Sequence, residues 1–407
     1  MTPRWVNRAR FVVTILSTCA ACCGPATAQI PLAVFKIDAD QFAGHPNGDY
    51  VYASEDWSDK VYRVNLNTLQ VDASFYAGDG PYGMALSEDG SRLYVANKRT
   101  PTISVIDTAT NQLVDQIDLP VGAYDVEMAS GGYLYATPWR NDLSGLMQID
   151  TATAQFVDSV RVLSSGSPTE ALLQISPDRQ TLYVAETKHS GGGLFAFDVS
   201  EPIPRQWWSN RSSFPLGTSA FDLGGPGRDL AVSGDGNSIA YLTGAGNGIN
   251  GARYDIAILD SRDFSVIADY EVGRFPTEAA FSPDGAVLYA VHEVQGIDVI
   301  VVDREKYEAA PTWMRYSLIS TPRAIGNTEP VRKGVHELFI DRTGSRLIAS
   351  IEGEVRIFDT GRRVIPEPSS WCLLGLGAFA MQSGFLGIRV SRRRRARSRA
   401  HLRHNGC

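Results

Sequence analysis

Short apolar runs alternate with polar turns between Leu93 and Ile117. The runs are Leu93–Ala96, Ile103–Asp107 and Leu113–Ile117, and Asp89-Gly90 precedes the first of them. Apolar runs this short are typical of strands, and an Asp-Gly pair favours a two-residue hairpin turn. The stretch therefore predicts three antiparallel strands joined by tight turns.

The same pattern recurs through most of the chain, with two anchors in each copy. One anchor is an aromatic residue in the predicted second strand: Tyr52, Tyr94, Tyr135, Tyr183, Tyr241 and Tyr289, with Ile348 in the last copy, at spacings of 42, 41, 48, 58, 48 and 59 residues. The other is an apolar residue followed by Asp or Asn, as at Val64-Asn65, Ile106-Asp107, Ile149-Asp150, Phe197-Asp198, Leu259-Asp260, Val302-Asp303 and Phe358-Asp359. We expect this Asp or Asn to accept hydrogen bonds from N–H groups two residues on and so start a turn.

Repeats of about 40 residues with four short strands each predict an all-β fold, the β-propeller, and seven copies predict seven four-stranded antiparallel blades. The wider spacings place insertions at about 201–217, which includes Trp207 and Trp208, and at 244–255 and 305–330. The last copy supplies only three strands. We therefore expect the N-terminal strand Leu32–Ile37 to complete the seventh blade and cover edges that would otherwise promote aggregation. The predicted propeller domain is 29–363.

Charge and cysteine are segregated to the two ends of the chain. Residues 1–28 carry three Arg and no acid, and residues 364–407 carry eight Arg and one Glu. The middle holds 27 basic and 44 acidic side chains, a net charge close to −17, which argues against a nucleic-acid partner. All five Cys lie in the ends, so the body has no disulfide framework, thiolate metal site or cysteine nucleophile.

The first 28 residues have the three parts of a signal peptide. Arg4, Arg8 and Arg10 form a charged region, an apolar run starts at Phe11, and Ala26-Thr27-Ala28 matches a cleavage site. The sequence therefore predicts export, with cleavage after Ala28.

The other end combines three elements in order. Pro366-Glu367-Pro368 is followed by the apolar segment Trp371–Ile388 and by Arg392–Arg395. This arrangement resembles the PEP-CTERM sorting signal and covers residues 364–407. The resemblance implies processing by an exosortase enzyme during export, in bacteria that make exopolysaccharide. The alternative is a plain membrane anchor, because about 20 apolar residues span a bilayer. Either interpretation places the body outside the cytoplasm, at least transiently held at the membrane.

The repeat itself resembles a known family. LYVAN at 93–97, followed by TISVIDTATNQLV at 102–114, is similar to the YVTN β-propeller repeat of surface-layer and other exported proteins and of YncE-like proteins. Related propellers include lactonases and streptogramin lyases. Repeat identity implies the fold and leaves the activity open.

Acidic residues recur where the innermost strands begin. The aligned positions are acidic in five blades and form a candidate carboxylate ring at the channel mouth: Asp125, Glu170, Asp229, Glu278 and Glu337. The second blade has Gly83 there and is expected to contribute least to any site. Carboxylates this close repel one another unless they are hydrated, protonated or neutralised by a cation. The hypothesis is an oxygen-bound cation such as Ca²⁺; the alternative is a polar, water-filled channel mouth.

The loops between second and third strands share that face. They bring further candidate ligand-binding residues: Trp139, Arg140, Glu186, His189, Tyr254, His292 and Glu293. Aromatic, Arg and carboxylate groups together suit a sugar or peptide ligand. His292-Glu293 and His336-Glu337 are candidate acid–base or metal pairs, which makes His292, His336 and Glu278 the catalytic candidates. Simple loop polarity is the alternative, and the sequence has no nucleophile elbow, P-loop, dinucleotide fingerprint or haem-attachment motif.

The leading functional hypothesis is a non-enzymatic exported propeller that acts as a binding or structural protein at the cell surface or in an exopolysaccharide matrix. Its expected partners are the exosortase machinery, and exopolysaccharide or a surface protein. The rival hypothesis is a lactonase-like hydrolase or lyase that uses the carboxylate ring with His292 or His336.

Overall fold

A computed structural model of the protein describes residues 30–139, 145–160, 170–186, 193–209, 227–243, 255–271, 276–292, 296–301 and 335–360. The chain divides into two units, Met1–Arg363 and Val364–Cys407, and all of these residues lie in the first. The predicted signal peptide and the sorting signal with Pro366, Glu367 and Pro368 lie outside the described residues. Within the described ranges, no helix has the length and apolarity needed to cross a membrane.

The described residues form 27 strands, which pair into seven antiparallel sheets. One short strand, β1 (Ala33–Phe35), comes first. The next sheets are β2 (Gln41–Gly44), β3 (Tyr50–Glu55), β4 (Lys60–Asn65) and β5 (Gln70–Tyr76); β6 (Pro81–Leu86), β7 (Arg92–Asn97), β8 (Thr102–Asp107) and β9 (Gln112–Asp118); β10 (Ala123–Met128), β11 (Tyr133–Pro138), β12 (Leu146–Asp150) and β13 (Gln155–Val160).

The remaining strands continue the same order. They are β14 (Leu172–Ile175), β15 (Thr181–Ala185), β16 (Leu194–Asp198) and β17 (Arg205–Ser209); β18 (Gly227–Val232), β19 (Ser238–Thr243), β20 (Asp255–Asp260) and β21 (Val266–Glu271); β22 (Pro276–Phe281), β23 (Val287–His292) and β24 (Gly296–Val301); and β25 (Val335–Ile340), β26 (Arg346–Ile351) and β27 (Glu354–Asp359). Two 3₁₀ turns, Asp56–Ser58 and Ser130–Gly132, complete the described elements.

The seven sheets are arranged as a ring of blades. The first strand of each blade contacts the first strand of the next, and β25 contacts β2. Seven hydrophobic clusters lie between adjacent blades, and one of them joins Val51 of the first blade to Ile348 and Val355 of the last. The core is therefore a set of interfaces between sheets, which confirms the predicted all-β, seven-bladed propeller.

The last blade contains strands from both ends of the propeller. β1 pairs antiparallel with β27, with Ala33 opposite Ile357 and Phe35 opposite Val355. The sheet order is β1-β27-β26-β25, so β1 is its outermost strand. In the sixth blade the described strands are β22, β23 and β24, and residues 302–334 lie outside the described part of the chain.

The predicted hairpin turns are built by a recurring hydrogen-bonded motif. Ser87 Oγ donates to Asp89 Oδ1 at 2.7 Å, and the Arg92 N–H donates to Ser87 Oγ at 2.9 Å. Gly90 has a φ of 73°, in the left-handed region that favours glycine. Equivalent serine–aspartate pairs start the turns at Ser176 and Asp178, Ser233 and Asp235, and Ser282 and Asp284.

In five blades the Asp or Asn that ends the third strand starts the next turn, as predicted, and Asp303 lies outside the described residues. Asp107 Oδ1 accepts the N–H groups of Ala109 at 3.1 Å and Thr110 at 3.0 Å. Asn65, Asp150, Asp198 and Asp260 accept the N–H two residues on in the same way. These repeated polar residues therefore serve the fold.

Two details of the repeat alignment were wrong. In the fifth blade Ala240, not Tyr241, packs toward the sixth blade, and Tyr241 points back to Tyr183 of the fourth. Because side chains alternate along a strand, the one-residue offset at Gly236 moved the aromatic residue to the opposite face. Trp207 and Trp208, which were expected in an insertion, lie in β17. The predicted insertion at 305–330 and residues 244–254 of the other lie outside the described residues.

Candidate functional site

The first strands of the blades line a central channel with two chambers. The mouth chamber, about 400 Å³, lies where these strands begin and includes Tyr82, Tyr124 and Thr277 in its wall. The inner chamber, about 370 Å³, lies toward the strand ends and includes Pro46 and Arg179. Phe42, Met84, Glu127, Gln174, Asp229, Glu278 and Glu337 line both chambers.

Four of the five residues of the predicted carboxylate ring lie around the mouth chamber: Asp125, Asp229, Glu278 and Glu337. Glu170 does not line it, and its assignment to the ring was wrong. Glu127 pairs with Tyr135, and Gln174 pairs with Tyr183, so Leu172 takes the position of Asp125 in the fourth blade. β14 lacks the bulge present in β10 and β22, and Pro168-Thr169-Glu170 therefore resembles Pro276-Thr277-Glu278 only in sequence.

Asp125 joins two neighbouring blades. It lies at a bulge of β10, where Oδ1 accepts the N–H of Val126 at 2.9 Å and Oδ2 accepts the N–H of Leu173 in β14 at 2.8 Å. A bulge leaves an extra residue unpaired in its own sheet, which frees Asp125 to reach the next one. Desolvation raises the pKa of Asp125 to about 7 despite these hydrogen bonds.

Asp229 repeats this arrangement two blades away. Its Oδ1 accepts the N–H of Leu230 at 2.7 Å, and its Oδ2 accepts the N–H of Ala279 in β22 at 2.8 Å. Glu337 of β25 likewise accepts the N–H of Phe42 in β2. Three of the ring carboxyls are therefore clasps between adjacent first strands. We call Asp125, Asp229 and Glu337 the clasp carboxyls.

The second blade has a glycine, Gly83, at the position where other blades carry an acid, because Asp125 occupies the space beside it. A Cβ at Gly83 would lie 2.5 Å from both Cα and Oδ1 of Asp125 and 2.8 Å from the Val126 nitrogen. These distances are too short for any side chain. The second blade therefore contributes to the ring by making room for the clasp of the third.

Glu278 and Asp229 form a hydrogen-bonded carboxyl pair. Desolvation and the Asp229 charge raise the pKa of Glu278 well above its usual range, and a side-chain hydrogen bond joins the two. Desolvation raises the pKa of Asp229 to about 7. Because neighbouring like charges resist joint ionisation, the raised pKa of Glu278 favours its protonated carboxyl as the donor to Asp229.

Two channel carboxyls were missed in the sequence. Desolvation raises the pKa of Glu127 to about 8 and that of Asp40 to about 6. Glu127 lies two residues beyond Asp125 on one strand, and the period-two alternation of side chains would have placed it in the channel. Asp40 precedes β2, and its Oδ2 accepts the Asp56 N–H at 2.7 Å.

Aromatic rings stack on one side of the mouth. Tyr82 and Tyr124 have ring centroids 4.4 Å apart, and Tyr124 and Trp139 have centroids 5.6 Å apart, both stacked. Lys98 Nζ lies 4.1 Å from the Tyr82 centroid, 4.7 Å from that of Trp139 and 2.5 Å from Asp56 Oδ2. Lys98 is buried, and the two rings and the carboxylate satisfy its charge. Trp139 therefore stacks on Tyr124, which lines the mouth chamber, and its part in ligand binding stays a prediction.

The other predicted site residues have different positions. Glu186 is buried, and its Oε2 accepts the Gly193 N–H at 3.0 Å across its own loop, away from the chamber walls. Arg140, His189, Tyr254 and Glu293 lie outside the described residues. The backbones of His292 and His336 lie in β23 and β25, but their side chains are outside the described part.

The ring does not have the geometry of a cation site in the described part of the chain. There, no group of three or more His, Cys, Asp or Glu side chains could hold a metal ion. A Ca²⁺ site needs about six to eight oxygen ligands directed at one point. Asp125 and Asp229 instead use both carboxyl oxygens as acceptors for backbone N–H groups.

Comparisons with known proteins agree with the fold. No protein-family model matches the chain. The seven-bladed β-propeller protein Rv1057 of Mycobacterium tuberculosis is 28% identical over 301 residues, which are 66% of this chain and 73% of that protein. A chain of hydrazine synthase from Kuenenia stuttgartiensis superposes with a TM-score of 0.58 at 17% identity, over 83% of this chain and 98% of that one. The second likeness shows the fold alone, and the first adds a seven-bladed homologue.

Proposed function

We propose that this protein is an exported, non-enzymatic binding or structural protein of the bacterial cell surface or exopolysaccharide matrix. The proposal places it among the YVTN-type, YncE-like propellers. It takes residues 1–28 as a cleaved signal peptide and residues 364–407 as a PEP-CTERM signal that an exosortase processes. Three Arg and no acid in the first segment, and the Pro-Glu-Pro motif followed by an Arg-rich tail in the second, support export.

The observation that supports a non-enzymatic role is that ionisable groups at the mouth already bind other groups of the protein. Asp125 and Asp229 each accept two backbone N–H groups, one of them from the next blade. Lys98 is held between two aromatic rings and Asp56. Groups committed in this way stabilise a rigid face. A rigid face with an open chamber suits binding, because little order has to be gained when a ligand docks.

Two measurements test the proposal. Protease added to intact cells of the source bacterium should digest the propeller, since the body lies outside the membrane; protection until lysis would refute export. Deletion of residues 366–368 should trap the full-length chain in the membrane fraction if an exosortase removes the tail. Equal processing with and without these residues would refute the sorting signal.

The alternative is a lactonase-like hydrolase or lyase, and one observation favours it. Asp229, whose pKa is raised to about 7, is hydrogen-bonded to a second carboxyl, Glu278, in an open chamber, as general acid–base catalysis requires. An enzyme of this kind would show turnover with lactone substrates that Glu278→Gln abolishes. Absence of turnover in the wild-type chain leaves the pair a structural role.

A further inference from the structure

Trp57 is displayed at the channel-mouth face. Trp57 is the middle residue of the short 3₁₀ turn Asp56–Ser58. Its side chain is nevertheless 84% exposed. Exposing an indole to water forfeits the free energy of burying one of the largest apolar side chains. Such a residue on a loop is a candidate for binding, because nothing in the propeller core needs it there.

The backbone around Trp57 is held rigidly from both sides. The Asp56 N–H donates to Asp40 Oδ2 at 2.7 Å, and the Asp56 carbonyl accepts Arg99 Nη2 at 2.7 Å. Asp59 ends the turn with a φ of 58°, and its Oδ1 accepts the Gly80 N–H at 3.0 Å. The backbone that carries the indole is therefore held in place, which lowers the entropy cost of ordering this turn when a ligand binds.

A second exposed aromatic residue lies on the same face. Tyr76, 58% exposed, ends β5 opposite Lys60, and the following Ala77 N–H donates to the Asp59 carbonyl at 3.2 Å. The turn that carries Trp57 and the end of β5 are thus hydrogen-bonded neighbours. Asp40, which lines the mouth chamber, anchors the other side of the turn. We call Trp57 and Tyr76 the aromatic rim.

The charged groups beside the aromatic rim are paired with each other. Arg99 binds the carboxylates of Asp56, Asp59 and Asp79, and Lys98 binds Asp56 as well. These pairs balance charge beside the rings, while the Arg99 and Asp79 side chains stay 39% and 44% exposed. The propeller body carries a net charge near −17, so it repels anionic polymers over distances comparable to the screening length.

We propose that the aromatic rim is the anchor of a binding site for a neutral glycan, a role that rests on the proposed binding function. A sugar ring has one face of C–H groups that packs flat on an indole, and its hydroxyls hydrogen-bond to nearby carboxylates and guanidinium groups. Trp57 supplies the flat surface, and Arg99 and Asp79, both partly exposed, supply the polar contacts. A neutral polymer avoids the repulsion that the acidic body imposes on anionic ones.

The test uses the full chain on an array of neutral, anionic and cationic oligosaccharides, with a poly-lysine peptide as a further probe. Affinities for bound probes are then measured by calorimetry for the wild type and three variants. Trp57→Ala should weaken binding of a neutral glycan about tenfold or more, because aromatic anchors dominate binding free energy. Trp57→Phe should retain part of it. Ile203→Ala removes a side chain of similar exposure, 77%, from the turn between β16 and β17 and should change nothing.

The outcomes separate this proposal from the proposed function. Neutral-glycan binding that Trp57→Ala leaves unchanged refutes the aromatic rim but keeps the binding protein. Binding of poly-lysine alone, lost in Trp57→Ala, replaces the glycan with a basic partner and refutes this inference. An array with no bound neutral glycan also refutes it. Lactone turnover without any binding overturns the proposed function as well.

Discussion

Replacing Asp125 with Asn tests whether the clasp carboxyls hold protons in the folded protein. The pKa of Asp125 is raised from 3.8 to about 7 by desolvation, so the folded state binds a proton more tightly than the unfolded chain does. Between those two values the folded state holds more protons, and stability falls as the pH rises. An asparagine resembles the protonated aspartic acid in shape and hydrogen-bonding groups, but it cannot ionise.

The size of the effect follows from the shift. A change of about three pKa units lowers the free energy of unfolding by about 4 kcal/mol once the pH exceeds the folded-state pKa. This penalty is a ceiling, because buried sites relax and admit water. The variant escapes this penalty, although its amide leaves one backbone N–H without an acceptor at a cost of about 1–3 kcal/mol at every pH. The wild type should therefore be the more stable protein near pH 4, where this penalty is absent, and the gap should narrow or reverse as the pH rises to about 7.

Urea unfolding of the full chain, followed by tryptophan fluorescence at a series of pH values, measures this directly. The free energy of unfolding of the wild type should fall from about pH 4 to about pH 7, and Asp125→Asn should flatten that slope by nearly one proton. Asp115→Asn is the matched control, because Asp115 is exposed and its Oδ1 accepts only the Gln116 N–H among the described hydrogen bonds. An unchanged slope in Asp125→Asn would refute the reasoning.

Three further predictions follow from the same region. Gly83→Ala should destabilise the protein by about 1–3 kcal/mol in urea unfolding, because its Cβ would overlap Asp125; stability equal to wild type would contradict the close packing. Lys98→Met should lower the melting temperature, because Asp56 loses one of its cations and the two aromatic rings lose the charge they contact. Lys36→Met is the control and should not lower it, because the Lys36 side chain is 84% exposed. Equal effects of the two substitutions would count against a structural role for Lys98. Titration with Ca²⁺ should leave the melting temperature unchanged, and a saturable rise would restore the cation hypothesis.

The architecture was readable from the sequence because turn residues repeat. The serine–aspartate–glycine hairpins and the aspartates that end third strands act locally, within a few residues, and each leaves a visible pattern. Asp107 accepts a hydrogen bond from the N–H two residues on, as the pattern predicted, and from the N–H three residues on as well. Register was harder, because a single extra residue before Tyr241 reversed the face on which it packs.

The site could be predicted only in part, because its contacts join residues of different blades. The sequence placed Asp125 and Asp229 at the channel, but it could not show that each would accept an N–H about 50 residues further along the chain. It misplaced Glu170, since the bulge that aligns the others is a tertiary feature. Lys98 carried no signal, because its partners Tyr82 and Trp139 come from different blades.

We propose that the carboxyls of the channel hold blades together and do no chemistry. The most direct measurement is the hydrolysis of a panel of lactones and esters by the full chain and by Glu278→Gln, with the pH dependence of unfolding recorded for both. We expect no turnover above buffer in either protein, and a changed pH dependence of unfolding in the variant because glutamine removes a carboxyl whose pKa is raised in the folded state. The proposal would be contradicted if the wild type showed turnover that depends on a group with a pKa near 7. That turnover would have to disappear in Glu278→Gln while the pH dependence of unfolding stayed the same.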